Sequence, residues 1–297
     1  MSLIEELKGL KNVELLENER LAPHTGFKTG GPCLALLIPQ NRESFIECVN
    51  LLKREGARFA VLGRGSNVLV PDSGYEGYVL LTSRLNKISF SGEVVRAEAG
   101  AGLSELCAQC AERGLSGLEF AYGIPGSVGG AVFMNAGAYG GEMRQVVSDV
   151  EVLTEGGGLK RVRSGDMGFA YRGSVLQSQG GIALSARFSL YKEDKELIHS
   201  KMQELMERRK SKQPLEYPSC GSTFKRPEGA FAGKLIEDCG LRGYTVGGAA
   251  VSEMHCGFVI NKGGASSEDI LKLISEVQGI VREKTGYELE CEIRILK

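Results

Sequence analysis

The feature that most restricts this chain is a glycine-dense stretch. It runs Gly123-Ile-Pro-Gly-Ser-Val-Gly-Gly130 and continues Ala-Val-Phe-Met-Asn-Ala-Gly-Ala-Tyr-Gly-Gly141. Seven of these 19 residues are glycine. Connections between elements are ordinarily about four to six residues long, so this segment does more than join its neighbours. Glycine is the residue that lets a backbone take positive φ or press directly against a ligand. Pro125 rigidifies one turn, and Gly126, Gly129 and Gly130 remove side chains where a flat or phosphorylated molecule would sit. Ser127 and Asn135 add polar atoms without charge, and Ala136 and Gly137 keep the segment narrow beyond them. Loop, turn and strand at a cofactor site are expected over 123–141.

A second glycine loop, Gly63-Arg64-Gly65-Ser66-Asn67, lies between two short apolar runs at 59–62 and 68–70 that read as strands. Backbone N–H groups in such a turn form a nest that suits a pyrophosphate. It lacks the third glycine of a Rossmann fingerprint, and strand rather than helix follows it. Taken alone, it fits a tight turn with no ligand better than a binding site, because glycine is the default turn residue.

Around these loops the pattern is mixed. Phe45, Cys48, Val49 and Leu52 share a helical face within 41–55, and Gly56 can end that helix. Residues 87–90 and 94–97 read as a hairpin turning at Ser91-Gly92, 103–113 as a helix ended by Gly114, and 150–153 and 182–190 as strands. A charged helix over 195–212 precedes Pro214 and Pro218. Beyond it the sequence predicts strands at 222–224, 249–251, 258–260 and 290–295, with helices at 234–239 and 267–285. Ser266, with Asp269 three residues on, fits the N-cap of the last helix. Such a mixture defines an α+β chain. Its expected organisation is a cofactor-binding region over 1–200, in two lobes of 1–80 and 81–200, and a smaller domain over 201–297.

Composition excludes several functions. Lysine and arginine total 36 against 37 acidic residues, a balance that offers nothing to nucleic acid or to a membrane surface. No apolar run reaches the roughly 18 residues of a membrane span, and the charged, amphipathic start lacks the apolar core of a secretory signal. The eight cysteines show no disulfide framework, so a cytoplasmic protein with reduced thiols is expected. Cys107 and Cys110 have metal-ligand spacing, yet they share one helical stripe with Leu103 and Leu106 and read as core. His24, His199 and His255 are too scattered to bind a metal together. Cys220 reads either as a reactive thiol or as a small filler.

The motifs resemble those of UDP-N-acetylenolpyruvoylglucosamine reductases. The stretch 123–141 is similar to the flavin-binding core of that family, and residues 63–67 to its other FAD segment. Thr25-Gly-Phe-Lys-Thr-Gly-Gly-Pro32 resembles its N-terminal signature. Tyr171-Arg172-Gly-Ser174 and Cys220-Gly-Ser-Thr-Phe-Lys-Arg-Pro227 look like its catalytic and substrate segments, and Glu290-Cys-Glu-Ile-Arg-Ile295 like its C-terminal end. The likeness covers nearly the whole chain in order.

It implies an FAD-binding unit of the vanillyl-alcohol-oxidase (PCMH) type followed by a smaller α+β substrate domain. The implied reaction converts UDP-N-acetylglucosamine enolpyruvate to UDP-N-acetylmuramate with NADPH and dissociable FAD, for peptidoglycan synthesis. Hydride passes by way of flavin N5 to C3 and a proton goes to C2, with no obligate protein partner. The resemblance makes Arg172 the partner of the developing anion, Ser222 the proton donor and Glu292 a second donor, which must then be protonated. Tyr171, Lys225 and Arg226 are expected to bind substrate, the last two at its diphosphate or carboxylate unless they form a solvated pair. Too little sequence follows Tyr171-Arg172 for the inserted loop whose tyrosine closes over substrate, so the chain resembles the shorter branch of the family. Two rivals remain at this stage: an oxidase of the same fold and a non-catalytic FAD-binding protein.

Overall fold

Contacts in the computed structural model, which describes residues 2–296, divide the chain into two units. Neither is a continuous run of sequence. The first takes residues up to 17, Ala35–Arg64 and Gly77–Arg208. The second takes Asn18–Leu34, Gly65–Glu76 and everything from Arg209 onward. The two early segments of the second unit are joined by hydrogen bonds from Gly31 N to Pro71 O and from Tyr75 N to Pro32 O, at 2.9 and 2.8 Å. A linear cut near residue 200 cannot express pairing of that kind.

One sheet, most of whose residues belong to the first unit, orders its strands Val13–Glu17, Cys33–Pro39, Tyr75–Leu81, Phe59–Leu62. Its outer pairs are antiparallel at one end and parallel at the other. The helix Arg42–Arg54 covers this sheet. Asn41 and Ser44 cap it reciprocally, and Phe45, Cys48, Val49 and Leu52 pack with Leu37 and Leu80. The second sheet is antiparallel throughout, in the order Leu159–Arg163, Val147–Leu153, Ile182–Ser189, Val94–Glu98, Ile88–Ser91. Its core includes the helix Leu103–Ala111, whose Leu103, Leu106, Cys107 and Cys110 are all buried.

The glycine stretch departs from expectation by containing a helix, Val128–Phe133. Val128, Ala131 and Val132 fall at i, i+3 and i+4 and bury together. Two adjacent glycines hide that period in the sequence. Gly129 is needed for contact: its amide bonds Ala99 O at 2.8 Å, and a Cβ there would lie 2.9 Å from that of Ala99. The stretch ends in a ribbon of Gly137–Ala138 with Gly141–Glu142. Tyr139 and Gly140 turn it with φ of 54° and 87°, the positive-φ pair that tight hairpins favour.

The second unit holds a three-stranded antiparallel sheet, Thr245–Val246, Ala249–Val251 and Val259–Asn261. The helices Ala232–Asp238 and Ser267–Thr285 pack in the same core. Ser266 and Asp269 form a capping box, and Gly286 ends the long helix at φ 75°. Two expectations fail here. Residues 222–224 form no strand, only a single bridge between Phe224 and Cys291, and of 290–295 only Arg294–Ile295 is strand, parallel to Val68–Leu69. Gly221, at φ 75°, breaks the extended run, and Thr223 directs its N–H and its C=O to different neighbours. Among the described residues no helix is long and apolar enough to cross a membrane.

Candidate active site

In the first unit, the glycine stretch builds a cradle around Ser127. This residue is 2% exposed and its hydroxyl has no hydrogen-bond partner. A Cβ on Gly63 would reach within 2.2 Å of that oxygen, and one on Gly130 would meet only the same oxygen, at 3.6 Å. A buried polar atom without a partner is costly, so a bound molecule with polar groups is the natural complement. The Arg64 guanidinium lies over Gly102, where a Cβ would come within 2.3 Å of it.

Asn135 is turned inward. At 1% exposure and φ 42°, its side chain donates to Glu142 Oε2 at 2.8 Å and Ala170 O at 3.0 Å, and accepts from Arg144 N at 3.0 Å. The amide expected at the cofactor therefore binds protein on both its oxygen and its nitrogen. What Asn135 does instead is hold the segment that carries Arg172. Ala170 and Gly173 exchange two 3.1 Å backbone hydrogen bonds, which leaves Tyr171 and Arg172 at the tip of a tight turn. Arg172 occupies the left-handed region at φ 55°. Its Nη1 lies 3.5 Å from Gly137 O and its guanidinium 5.2 Å from the Tyr171 ring. Tyr171 is 54% exposed. Between this turn and the strand Ile182–Ser189 stands only the short helix Val175–Ser178, so no long insertion follows.

In the second unit, four segments flagged in the sequence come together. Gly26 N donates to Gly65 O at 2.9 Å, and a Cβ on Gly26 would meet Ser219 O at 2.6 Å and Cys220 Sγ at 3.1 Å. Thr223 N donates to Gly257 O, and its hydroxyl oxygen accepts from Val259 N. Its carbonyl accepts the N–H of Glu292 at 2.8 Å, and Lys225 N donates to Glu290 O at the same distance. Residues 223–225 thus run beside 290–292, which sets Ser222 and Glu292 on neighbouring segments. Asn67 fastens the other side, donating to Glu292 O at 3.2 Å and accepting from Arg294 N at 3.1 Å. Lys225 forms an ion pair with Glu290, and Arg226 stacks on Phe231 at 3.9 Å.

Cys220 resolves as a filler. Burial pushes its thiol up to about 12, and its sulfur packs against the backbone of Gly65 and Val68. Cys107 donates to Leu118 O inside the core, and the described residues contain no cluster suited to a metal. His24 contacts Glu19 at 3.1 Å. Burial lowers the affinity of His255 for a proton, and its Nδ1 accepts from Gly257 N. Sequence reasoning passed over Glu142, Gln177 and Thr223. Their partners lie 7, 44 and 36 residues away, and no local pattern marks them.

Comparison with known proteins gives these features a class. Residues 33–163 match an FAD binding domain and residues 213–296 the C-terminal domain of UDP-N-acetylenolpyruvoylglucosamine reductase. The orphaned Ser127 hydroxyl and the glycine surface around it fit such a cofactor, so the chain is an FAD-binding oxidoreductase of the PCMH-type fold. A berberine bridge enzyme variant shares that fold over 65% of this chain and 44% of its own, with a TM-score of 0.50 and 16% identity.

The family follows from nearer relatives. The UDP-N-acetylenolpyruvoylglucosamine reductase of Caldanaerobacter subterraneus is 48% identical over 99% of this chain and 98% of its own. The crystal structure of the reductase from Thermus caldophilus is 36% identical, covers 96% of this chain and 99% of that one, and superposes with a TM-score of 0.82. The chain belongs to the UDP-N-acetylenolpyruvoylglucosamine reductase family. It is an enzyme that reduces the enolpyruvyl ether of UDP-N-acetylglucosamine with NADPH and FAD, in peptidoglycan precursor synthesis.

Proposed function

We propose that Arg172, Ser222 and Glu292 carry the reduction, and that Gly63, Arg64, Gly65, Ser66, Asn67, Gly123, Pro125, Gly126, Ser127, Gly129, Gly130, Ala136 and Gly137 form the FAD surface. Asn135 belongs to that surface through its backbone alone. Ser127 is the residue on this surface that would hold a polar group of the cofactor. FAD held there would supply the hydride, drawn from NADPH, for C3 of the enolpyruvyl group.

Hydride at C3 leaves negative charge developing at C2 and on the substrate carboxylate. Arg172 answers it with a fixed charge and a planar fork that matches a carboxylate. Glu292 serves as a hydrogen-bond donor in its protonated form, because an ionised carboxylate would repel the enolate. Ser222 delivers the proton to C2. A hydroxyl is a weak acid, and it acts here because C2 becomes strongly basic as the hydride arrives. Tyr171, Lys225 and Arg226 hold the substrate, the two cations at its diphosphate or carboxylate. The observation that carries this reading is the backbone pairing of 223–225 with 290–292, which sets Ser222 and Glu292 on adjacent segments although they lie 70 positions apart. The FAD is read as dissociable, and the enzyme as one that works in the cytoplasm without an obligate protein partner.

The test is anaerobic. The flavin spectrum of the purified protein should bleach with NADPH and recover on addition of UDP-N-acetylglucosamine enolpyruvate. Ser222→Ala should leave bleaching intact and slow recovery roughly 100- to 10,000-fold, the range for loss of a general acid. Glu292→Ala should slow it roughly 100- to 1,000-fold, with Glu292→Gln less affected because an amide still donates. Recovery at the wild-type rate in Ser222→Ala would remove that serine from the chemistry.

A further inference from the structure

We propose that Gln177 is a positioning residue for Arg172: its side-chain amide ties the catalytic turn to the end of the helix in the glycine stretch. The inference rests on the reading of Arg172 as the partner of the developing anion. Gln177 lies on the short helix Val175–Ser178, and its Nε2 donates to Arg172 O at 3.1 Å and to Phe133 O at 2.9 Å. A primary amide carries two N–H donors on one nitrogen, and here that nitrogen reaches two backbone carbonyls from separate parts of the chain, with Met134 Sδ a further 3.5 Å contact. Phe133 is the last residue of the helix Val128–Phe133, where carbonyls lack helical partners. Ser174 Oγ donates to the same oxygen at 2.8 Å.

The turn needs such a restraint. Arg172 sits at φ 55°, a conformation that side chains other than glycine adopt only when their surroundings hold them there. Asn135 fixes the entry of the turn through Ala170 O, and Gln177 fixes Arg172 itself. With the main chain held, the guanidinium extends toward Gly137 O and over the Tyr171 ring. The bonds of Gln177 run to the main chain of the turn and to the glycine stretch, so its contribution is to the aim of the arginine. A misplacement of about 1 Å can cost on the order of 100-fold in rate.

The experiment uses FAD-loaded enzyme reduced anaerobically with dithionite, with reoxidation by UDP-N-acetylglucosamine enolpyruvate followed by stopped flow. Four variants are compared: Arg172→Ala, Gln177→Met, Gln177→Glu, and Arg172→Ala combined with Gln177→Met. Methionine keeps the length of the side chain and removes the donors. Glutamate keeps its shape and, when ionised, turns two oxygens toward the carbonyls. Gln177→Met and Gln177→Glu should each retain FAD at wild-type stoichiometry and reoxidise roughly 10- to 100-fold more slowly. The double variant should be no slower than Arg172→Ala alone, because both changes remove the same interaction. Wild-type rates in Gln177→Met would overturn the proposal, since a side chain of the same length without donors would then suffice. A double variant slowed by the product of the two single effects would overturn it as well. Wild-type reoxidation in Arg172→Ala would instead bring down the reading of Arg172, and this inference with it.

Discussion

Lys225 and Arg226 illustrate how a side chain's surroundings set its availability. Lys225 is already paired with Glu290, yet that carboxylate is largely exposed, so the pair is weak and can be exchanged for a phosphate. Arg226 is held with its guanidinium over the Phe231 ring, which restricts the side chain. Alanine at both positions should raise the KM for the UDP substrate roughly tenfold or more and change kcat little, as loss of uniform binding does. An unchanged KM in steady-state assays would exclude both cations from the substrate site. Glycine at 65 is needed for a different reason. At φ 61°, a Cβ there would lie 2.0 Å from His24 O, a backbone atom that cannot swing aside. Gly65→Ala should therefore cost more than the about 1–2 kcal/mol of a left-handed alanine, and the purified variant should carry less flavin. Full flavin content with an unchanged melting temperature would contradict this.

The helix Leu103–Ala111 shows how local spacing misleads and periodicity corrects it. Cys107 and Cys110 have the interval of a metal site, but every third or fourth residue of this helix points into one core with Val128 and Val132. Burial pushes the Cys110 thiol up to about 12 and that of Cys107 higher than its ordinary range, the reverse of what a thiolate ligand requires. Cys110→Ser should lower unfolding stability by about 1–3 kcal/mol, the cost of burying a hydroxyl without a partner, while kcat stays within twofold. Loss of activity in parallel with loss of a bound metal would refute the packing role. The same period-against-glycine contest explains the hidden helix Val128–Phe133: its apolar positions are correctly spaced, but glycine lowers helical propensity enough to mask them.

For the whole molecule, the buried thiols predict a loss of stability at alkaline pH. Cys48, Cys110 and Cys220 are pushed up to about 12 and Cys33 to about 11, from an ordinary value of 9.0, chiefly by desolvation. Between pH 9 and about 12 the unfolded chain loses protons that the folded protein keeps. Stability contributed by these groups is therefore complete below pH 9 and falls as pH rises through that window, by up to about 1.4 kcal/mol per pH unit for each thiol. Urea midpoints should decline from pH 8.5 to 10.5, and Cys48→Ala combined with Cys110→Ala should decline less steeply, though from a lower start. Identical slopes in the two proteins would rule the thiols out.

The elements with an undisturbed period were legible from the chain alone. The helix Ser267–Thr285, with its Ser266 and Asp269 cap, could be read to the residue, because capping and amphipathic spacing are local properties. The hairpin Ile88–Ser91 with Val94–Glu98 was legible for the same reason. What required the folded structure was every relation between distant residues: the transfer of Asn18–Leu34 and Gly65–Glu76 to the C-terminal unit, the bridge from Phe224 to Cys291, and the inward turn of Asn135. Hydrogen bonds of that range depend on which carbonyls the packed core leaves unpaired, and no window of sequence contains both partners.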